Sequence, residues 1–434
     1  MTVGQQDLPP GAGSARRIAV VGAGIVGVSC AWQLQARGYD VTLIDRQEPG
    51  EAASFGNAGV ISTSSILPLV GANTWRKVPG WLADPSGPLR IGLRDLPKNL
   101  AWFRAAQANA TMAKAETVAR ALNDLHGQAV EDHFNQANEA GCAHLLVRSN
   151  YLHVYRTAKG FEADLGDWER RRALGVGFQT LGPSELAQAE PALAPDFARG
   201  MLVDGHGTAL DPGGLVKALW ADFRARQGRV VKVGLRRIVP MEEGVCLVTD
   251  ADEIRADRVV LAAGAWSAEI AHSLGHRFPL TSERGYHVVF PDPEITLKSP
   301  VMLAEEKVAV TSMSMGLRVA GTAEFTAPHR PANPRRWAML EKLAARSIRG
   351  ALGPAGSRWH GPRPSLPDTL PVIGPSELHP AVIFAFGHGH TGLTASASTA
   401  RAIAALIAGE APPFDLYPFR PGRFPVAPGK RAAS

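Results

Sequence analysis

The chain has 434 residues, 45% of them hydrophobic, and its 46 Lys and Arg against 40 Asp and Glu give a net charge of +6 and a pI near 9.4. That length exceeds the size at which one core stops growing, so two structural regions are expected, and no apolar run approaches the roughly 18 residues of a spanning helix. The modest basic excess lacks the aromatic-interleaved clusters of nucleic-acid binders, which excludes that class and favours an anionic substrate or membrane surface.

The first fifteen residues, with their Gly, Pro and Gln, read as a disordered lead-in without the apolar core of a signal peptide, which predicts a cytoplasmic protein. Cys30, Cys142 and Cys246 are too scattered for an iron–sulfur cluster or a cysteine zinc site, and no metal centre is expected. The stretch 17–45 carries the strongest pattern. An apolar run, Ile18 to Val21, meets Gly22, Gly24 and Gly27 in G-x-G-x-x-G spacing, with Ile25 and Val26 opening a helix. A second run, Val41 to Ile44, ends at Asp45, placed to bind a ribose hydroxyl. Strand, helix, strand and terminal acid agree on dinucleotide binding, with pyrophosphate at the helix N-terminus. Asp45 repels a 2′-phosphate and leaves FAD and NAD equal.

The loop after Asp45 and Arg46 contains Ala53-Ser54-Phe55-Gly56-Asn57-Ala58-Gly59, small enough to pack against a flat ligand or to be a plain surface loop. From Pro68 to Glu139 the texture is helical. Within it, Trp75 to Arg104 mixes Trp, Leu and Phe with Arg76, Lys77, Arg90, Arg94, Lys98 and Arg104. Such a segment lies in a membrane interface or packs on its own core with a solvated basic face. Val147 to Tyr155 reads as a strand and Phe161 to Ala189 as helix. Met201 to Pro212 is strand then turn, Gly213 to Gln227 helix, Val230 to Val233 strand, and Ile238 to Ile254 a polar hairpin. Arg258 to Ala263 is a buried-type strand running into Gly264-Ala265-Trp266-Ser267, which returns 200–272 to the dinucleotide domain.

Strands at Tyr286 to Phe290, Val308 to Ser312 and Leu317 to Gly321 should form the platform of a second domain, followed by a helix, Arg335 to Ile348. Trp359 to Ile373 is proline-rich and reads as irregular. Ala381 to Ala385 is apolar strand, and Gly387-His388-Gly389-His390-Thr391-Gly392 leads into a helix reaching about Ala408. The expected division is 16–145, 200–272 and 356–434 for the dinucleotide domain, and 146–199 with 273–355 for the second.

Taken in order, VVGAGIVGVSCAWQL, VTLIDR, ASFGNAGVIS, DRVVLAAGAWS, SERGYHVVF, GLRVAGTAEF, RPSLPDTLPVIG and FAFGHGHTGLT resemble the FAD-dependent amine and amino-acid oxidoreductases. That superfamily includes glycine oxidase, sarcosine oxidase and D-amino-acid oxidase. The likeness is greatest to the bacterial D-amino-acid dehydrogenases, although His390 departs from their best-known members towards relatives acting on hydroxyproline. The resemblance implies an α/β Rossmann-like FAD-binding domain of GR2 type, with a second α+β substrate domain built on an antiparallel or mixed sheet. It further implies that Gly22, Gly24, Ile25, Val26, Gly27, Asp45 and Arg46 hold the ADP half of FAD, with Val233 at the adenine. Ala263, Gly264 and Trp266 would lie beside the pyrophosphate. Ser54, Gly56, Asn57, Ala58 and Gly59 would follow the ribityl chain and ring. Gly387, His388, Gly389, His390, Thr391, Gly392, Leu393 and Thr394 would bring a helix N-terminus to the flavin pyrimidine edge, where negative charge collects on reduction.

Three side chains are expected at the substrate. Arg363, fixed between Pro362 and Pro364, offers a guanidinium that grips a carboxylate through two parallel hydrogen bonds, as the matching arginine does in glycine oxidase, which this stretch resembles. A surface ion pair is the plainer alternative. His390 faces the amine or side chain and can take a proton near neutrality, while His388 fixes the turn; either histidine has a structural alternative. Tyr286 lines the pocket or packs in the sheet. If Arg363 does not hold the carboxylate, Arg284 and Arg318 come next.

The activity implied is oxidation of a D-amino or D-imino acid at Cα to the imino acid, which hydrolyses to a 2-oxo acid, with electrons passing to a quinone or another carrier. D-hydroxyproline dehydrogenation and an oxygen-using glycine or sarcosine oxidase remain open within the same chemistry. A non-catalytic or electron-delivering flavin subunit of a larger complex remains open from another class. A quinone acceptor would bring the protein to the inner face of the cytoplasmic membrane as a peripheral protein; the oligomeric state stays open.

Overall fold

The computed structural model describes residues 16–71, 74–84 and 87–426, so the expected lead-in 1–15 lies outside the described residues, as do the side chains of Arg76, Leu93 and Lys98. Its organising layer is a six-stranded sheet in the order Val372–Pro375, Val382–Phe386, Arg258–Leu261, Arg17–Val21, Asp40–Asp45 and Arg229–Lys232. All neighbours pair in parallel except the first two. Ile18, Ala19, Val20 and Val21 are buried on both faces, which is why these strands read as unbroken apolar runs. The helix Ile25–Ala36 and the alanine-rich helix Gly392–Ala408 are buried nearly all round, so neither has a polar stripe. The latter ends at Gly409, whose φ of 75° supplies the left-handed cap.

Beyond the six strands, Leu235–Pro240, Val245–Thr249 and Glu253–Ala256 form a three-stranded antiparallel sheet, one strand more than the expected hairpin. A ten-stranded sheet makes the second region. Its path runs Ser357–Ser365, Thr281–Phe290, Gly316–Phe325, Val308–Met313, Val301–Leu303, Leu146–Tyr155, Arg199–Ala209 and Val60–Ile61. Leu89–Ile91 and Phe178–Leu181 pair off this path. Along Thr281–Phe290 the side chains alternate. Arg284, Tyr286, Val288 and Phe290 turn towards the helix Pro334–Ser347, whereas Glu283 lies on the cavity side, across from Arg363.

Three expectations need correction. Phe178–Leu181 is a strand inside the stretch read as continuous helix, because it pairs with Arg199–Ala209, a partner invisible to local periodicity. Arg199–Ala209 itself joins the ten-stranded sheet and not the dinucleotide sheet. Ser357–Ser365, read partly as irregular and placed with the dinucleotide domain, is the terminal strand of the ten-stranded path. Its Pro362 and Pro364 are two apart on an edge strand, where missing N–H groups on the open side cost no ladder bond.

Candidate active site

A cavity of about 1180 Å³ runs between the two sheets, from the turn after Arg17–Val21 to Arg363 and on to Lys307 and Arg171. That is above the roughly 300–1,000 Å³ usual for small-ligand sites. At its first end, Gly22 turns with φ of 110°, and a Cβ there would lie 2.3 Å from the Ala262 carbonyl oxygen. Gly27 is packed as tightly, 1.8 Å from the Gly22 oxygen by the same measure, so it shapes the turn without lining the cavity. The helix Ile25–Ala36 begins with no side-chain cap from Gly24 and no acid in its first turn. Asp45 accepts from the Ala23 N–H at 2.7 Å and the Gln47 N–H at 2.9 Å, and its carbonyl accepts from the Val233 N–H at 2.8 Å. The Ser54 hydroxyl accepts from the Ile25 N–H at 2.9 Å, and the Arg46 guanidinium lies 4.5 Å from the centre of the Trp266 ring. These contacts gather five separate places in the chain at one mouth.

Further in, Gly264 and Gly389 both have positive φ and both face open space, with nothing within 4 Å of a Cβ built on either. Ile25, Val26, Ala263 and the whole turn Gly387 to Thr394 line the same space. Among the expected cofactor residues only Gly27 and Gly59 do not; Gly59 packs instead against Met313 and the Ala209 carbonyl. His388 is buried, shares a 3.0 Å hydrogen bond with the Thr399 hydroxyl, and is pushed down to about 3 by burial, so it is a neutral brace of the turn. The Thr394 hydroxyl accepts from the Ser62 N–H at 3.1 Å, tying that turn to the loop after Gly59.

Arg363 and His390 meet further along the cavity, and a residue that sequence reasoning passed over brings them together. Glu283 is fully buried; its Oε1 lies 2.6 Å from His390 Nε2 and 3.3 Å from Arg363 Nη1, and its Oε2 accepts from the Ser365 hydroxyl at 3.1 Å. Burial alone would raise its carboxyl; the charges of His390 and Arg363 with the hydrogen bonds from His390 and Ser365 outweigh it and hold Glu283 at about 2. Arg363 Nη1 also donates to the Thr322 carbonyl at 2.8 Å, while Nη2 and Nε have no protein partner among the described residues. Thr322, a β-branched residue at φ of 63°, keeps a buried hydroxyl without a partner on the cavity wall. Lys307 and Thr369, also at positive φ, line the same cavity, and strain of this kind gathers at functional sites. Neither Glu283 nor Thr322 had a distinguishing sequence signal: an acid alternating within a strand reads as solvent-facing.

Tyr286 is not part of this group. It sits on the far face of its strand, where its hydroxyl donates to Glu324 and accepts from the Asn333 N–H at 3.0 Å, and its ring packs on Trp337. The pleat decides this, since Glu283 and Tyr286 are an odd number of residues apart. Tyr286→Phe is expected to cost about 1–3 kcal/mol of stability by stranding those partners, with the kinetics unchanged; denaturant melts beside flavin-reduction rates check both halves. Arg284 and Arg318 are also committed. Arg284 donates to the carbonyls of Ala327, Arg330 and Pro331, and Arg318 Nη1 donates to those of Phe55 and Asn57, pinning the Gly56 loop.

Comparison with known proteins then decides the family. Residues 17–406 match the family described as DAO, FAD dependent oxidoreductase. The chain belongs to that family. It is an FAD-dependent oxidoreductase. A D-amino-acid oxidase of Bradyrhizobium diazoefficiens is 39% identical over 419 residues, covering 94% of this chain and 99% of the relative. A D-amino acid dehydrogenase of Xanthobacter autotrophicus is 33% identical over 439 residues, covering 95% and 100%. In fold, the chain is similar to glycine oxidase from Geobacillus kaustophilus, with a TM-score of 0.70 at 22% identity over 93% of this chain and 98% of that one. The cavity suits the cofactor of such a family. Two helix N-termini open into it, neither capped by the side chain of its own N-cap residue nor carrying an acid in the first turn, and Gly264 and Gly389 leave room where side chains would intrude.

Proposed function

We propose that the protein oxidises a D-amino acid at Cα to the imino acid, which hydrolyses to a 2-oxo acid and ammonia. The observation that carries this reading is Arg363 beside His390 on one buried carboxylate, with two guanidinium nitrogens left over for an anionic group. The names of the relatives support it independently. FAD supplies the hydride acceptor when bound. Its ADP half would rest on Gly22, Gly24 and Asp45, with Val233 near the adenine; the Gly56 to Ala58 loop and the Gly387 to Thr394 turn would flank its reactive half. This chain's own residues do the rest. Arg363 fixes the carboxylate, which sets the face presented by Cα, and His390 meets the amine. Asp45→Ala is expected to weaken FAD binding by about 1.5–3 kcal/mol, the size of a charged hydrogen bond. Titrating the stripped protein with FAD reads this out.

The electrons go, in this reading, to a quinone or another carrier and not to dioxygen. Anaerobic mixing with a panel of D- and L-amino acids, including both hydroxyproline epimers, tests substrate and stereochemistry through flavin bleaching. Hydrogen peroxide formed stoichiometrically in air would instead identify an oxidase, and a flavin that no amino acid bleaches would leave an electron-delivering subunit.

Peripheral contact with an anionic membrane is the finer proposal. No described helix is long and apolar enough to cross one. Trp75, Trp81, Trp102 and Phe103 line the cavity, and Arg90 donates to the Leu82 and Asp84 carbonyls, so these belong to the protein's own structure. Leu82, Leu96 and Leu100 are exposed, and so are Arg94 and Arg104. Leu96→Ser with Leu100→Ser is expected to abolish co-sedimentation with anionic vesicles; binding unchanged by that pair, or absent in the parent, removes the proposal.

A further inference from the structure

We propose that Glu283 is the positioning residue that fixes His390 as the Nε2–H tautomer, turning the Nδ1 lone pair towards the substrate amine, so that Glu283 and His390 work as a proton-accepting dyad. The inference deepens the amino-acid reading above and rests on it for the identity of the proton donor. An ionised carboxylate only accepts hydrogen bonds. Glu283 Oε1 lies 2.6 Å from Nε2, so Nε2 carries the hydrogen, and a neutral ring then has its free lone pair on Nδ1. Nδ1 has no partner among the described residues, and the side chain is 41% exposed on the cavity wall.

The surrounding charges show why a fully buried acid belongs here. From the strand Ser357–Ser365, Arg363 meets the same Glu283 oxygen as His390 does. From the strand Thr281–Phe290 comes Glu283 itself, and on the histidine's own turn His388 is held neutral. Arg363 alone would oppose a charged imidazole by like-charge repulsion. Glu283 sets an opposite charge against the ring while leaving Nη2 and Nε of the guanidinium to grip a carboxylate. The proton step balances: an N–H bond of the substrate ammonium breaks, an Nδ1–H bond forms, and the imidazolium charge lies against Glu283. The neutral amine keeps its lone pair, which assists departure of the Cα hydrogen with both bonding electrons to the flavin. Ser365 donates to the other carboxylate oxygen and so helps to fix the Glu283 side chain.

The test uses the FAD-loaded protein. Nitrogen-15 NMR of histidine-labelled parent, with His390→Gln to assign the signal, is expected to show a protonated Nε2 and a bare Nδ1 at alkaline pH without any substrate. A predominant Nδ1–H form overturns the dyad, and this reading needs no variant at position 283 to fold. In Glu283→Gln, flavin reduction by the best D-amino acid is expected to slow at least thirtyfold at neutral pH, with the acid limb of the profile displaced to lower pH. An unchanged rate and limb would overturn it too. If no amino acid reduces the flavin while the Nε2–H tautomer is found, the amino-acid reading falls and the positioning role stands, so the two failures are distinguishable.

Discussion

Arg363→Lys is expected to raise the substrate concentration needed for half-maximal flavin reduction by tenfold or more, with FAD retained. The arginine divides its donors: Nη1 goes to Glu283 and the Thr322 carbonyl, while Nη2 and Nε remain for the ligand. A lysine has one nitrogen on a flexible stem. Glu283 is fully buried and claims that nitrogen first, because an acid in that position cannot be left without a counter-charge. The fold is thereby preserved and the carboxylate loses its two-pronged hold, a loss of about 1.5–3 kcal/mol. If the loss lies in initial binding, the saturating rate changes less than the concentration dependence. Stopped-flow bleaching over a range of substrate concentrations separates the two. Reduction as ready as in the parent at low substrate would mean that the carboxylate is held elsewhere. Arg284 and Arg318, the natural alternatives in the sequence, are already spent on backbone carbonyls, which would send attention to Lys307 and Arg171 at the far end of the cavity.

What could be read in the sequence follows from how local each feature is. The first β-α-β unit was legible because strand, glycine turn, helix and Asp45 are contiguous, and each has its own residue preference. The turn Gly387 to Thr394 was legible only through resemblance, since nothing in its composition says that it faces Arg363 from another sheet. Strand Ser357–Ser365 was hidden by its prolines, whose cost vanishes at an edge that only the sheet order reveals. Tyr286 was misplaced and Glu283 was passed over for one reason. A strand's parity cannot be assigned when both faces are buried, and here even the acid is fully buried. Polar residues on Thr281–Phe290 therefore mark which face carries chemistry only after Arg363 is known to lie directly opposite Glu283.

That register also singles out a residue with no side chain. Gly285→Ala is expected to lower the efficiency of flavin reduction by roughly ten- to a hundredfold, the scale attached to a misplacement of about 1 Å, while the fold and the bound FAD survive. A Cβ at Gly285 would lie 2.2 Å from Arg363 Nη2 and 2.4 Å from its Cζ. The obstacle is the movable end of a side chain, not backbone, so the guanidinium gives way and the strand does not. Gly285 is not among the residues with positive φ, so alanine is not strained there by its backbone. Its lower unfolded-state entropy contributes about 0.4–1 kcal/mol in favour of the fold, which offsets part of what the displaced contact loses. Stability should therefore fall by less than substrate recognition does. A double-mutant cycle isolates the cause. With Arg363→Lys already in place there is no guanidinium for the new methyl to displace, so Gly285→Ala should then cost little more, and the two effects should fall well short of additive. Full additivity in flavin-reduction kinetics would show that Gly285 acts through something other than the seat it provides for Arg363.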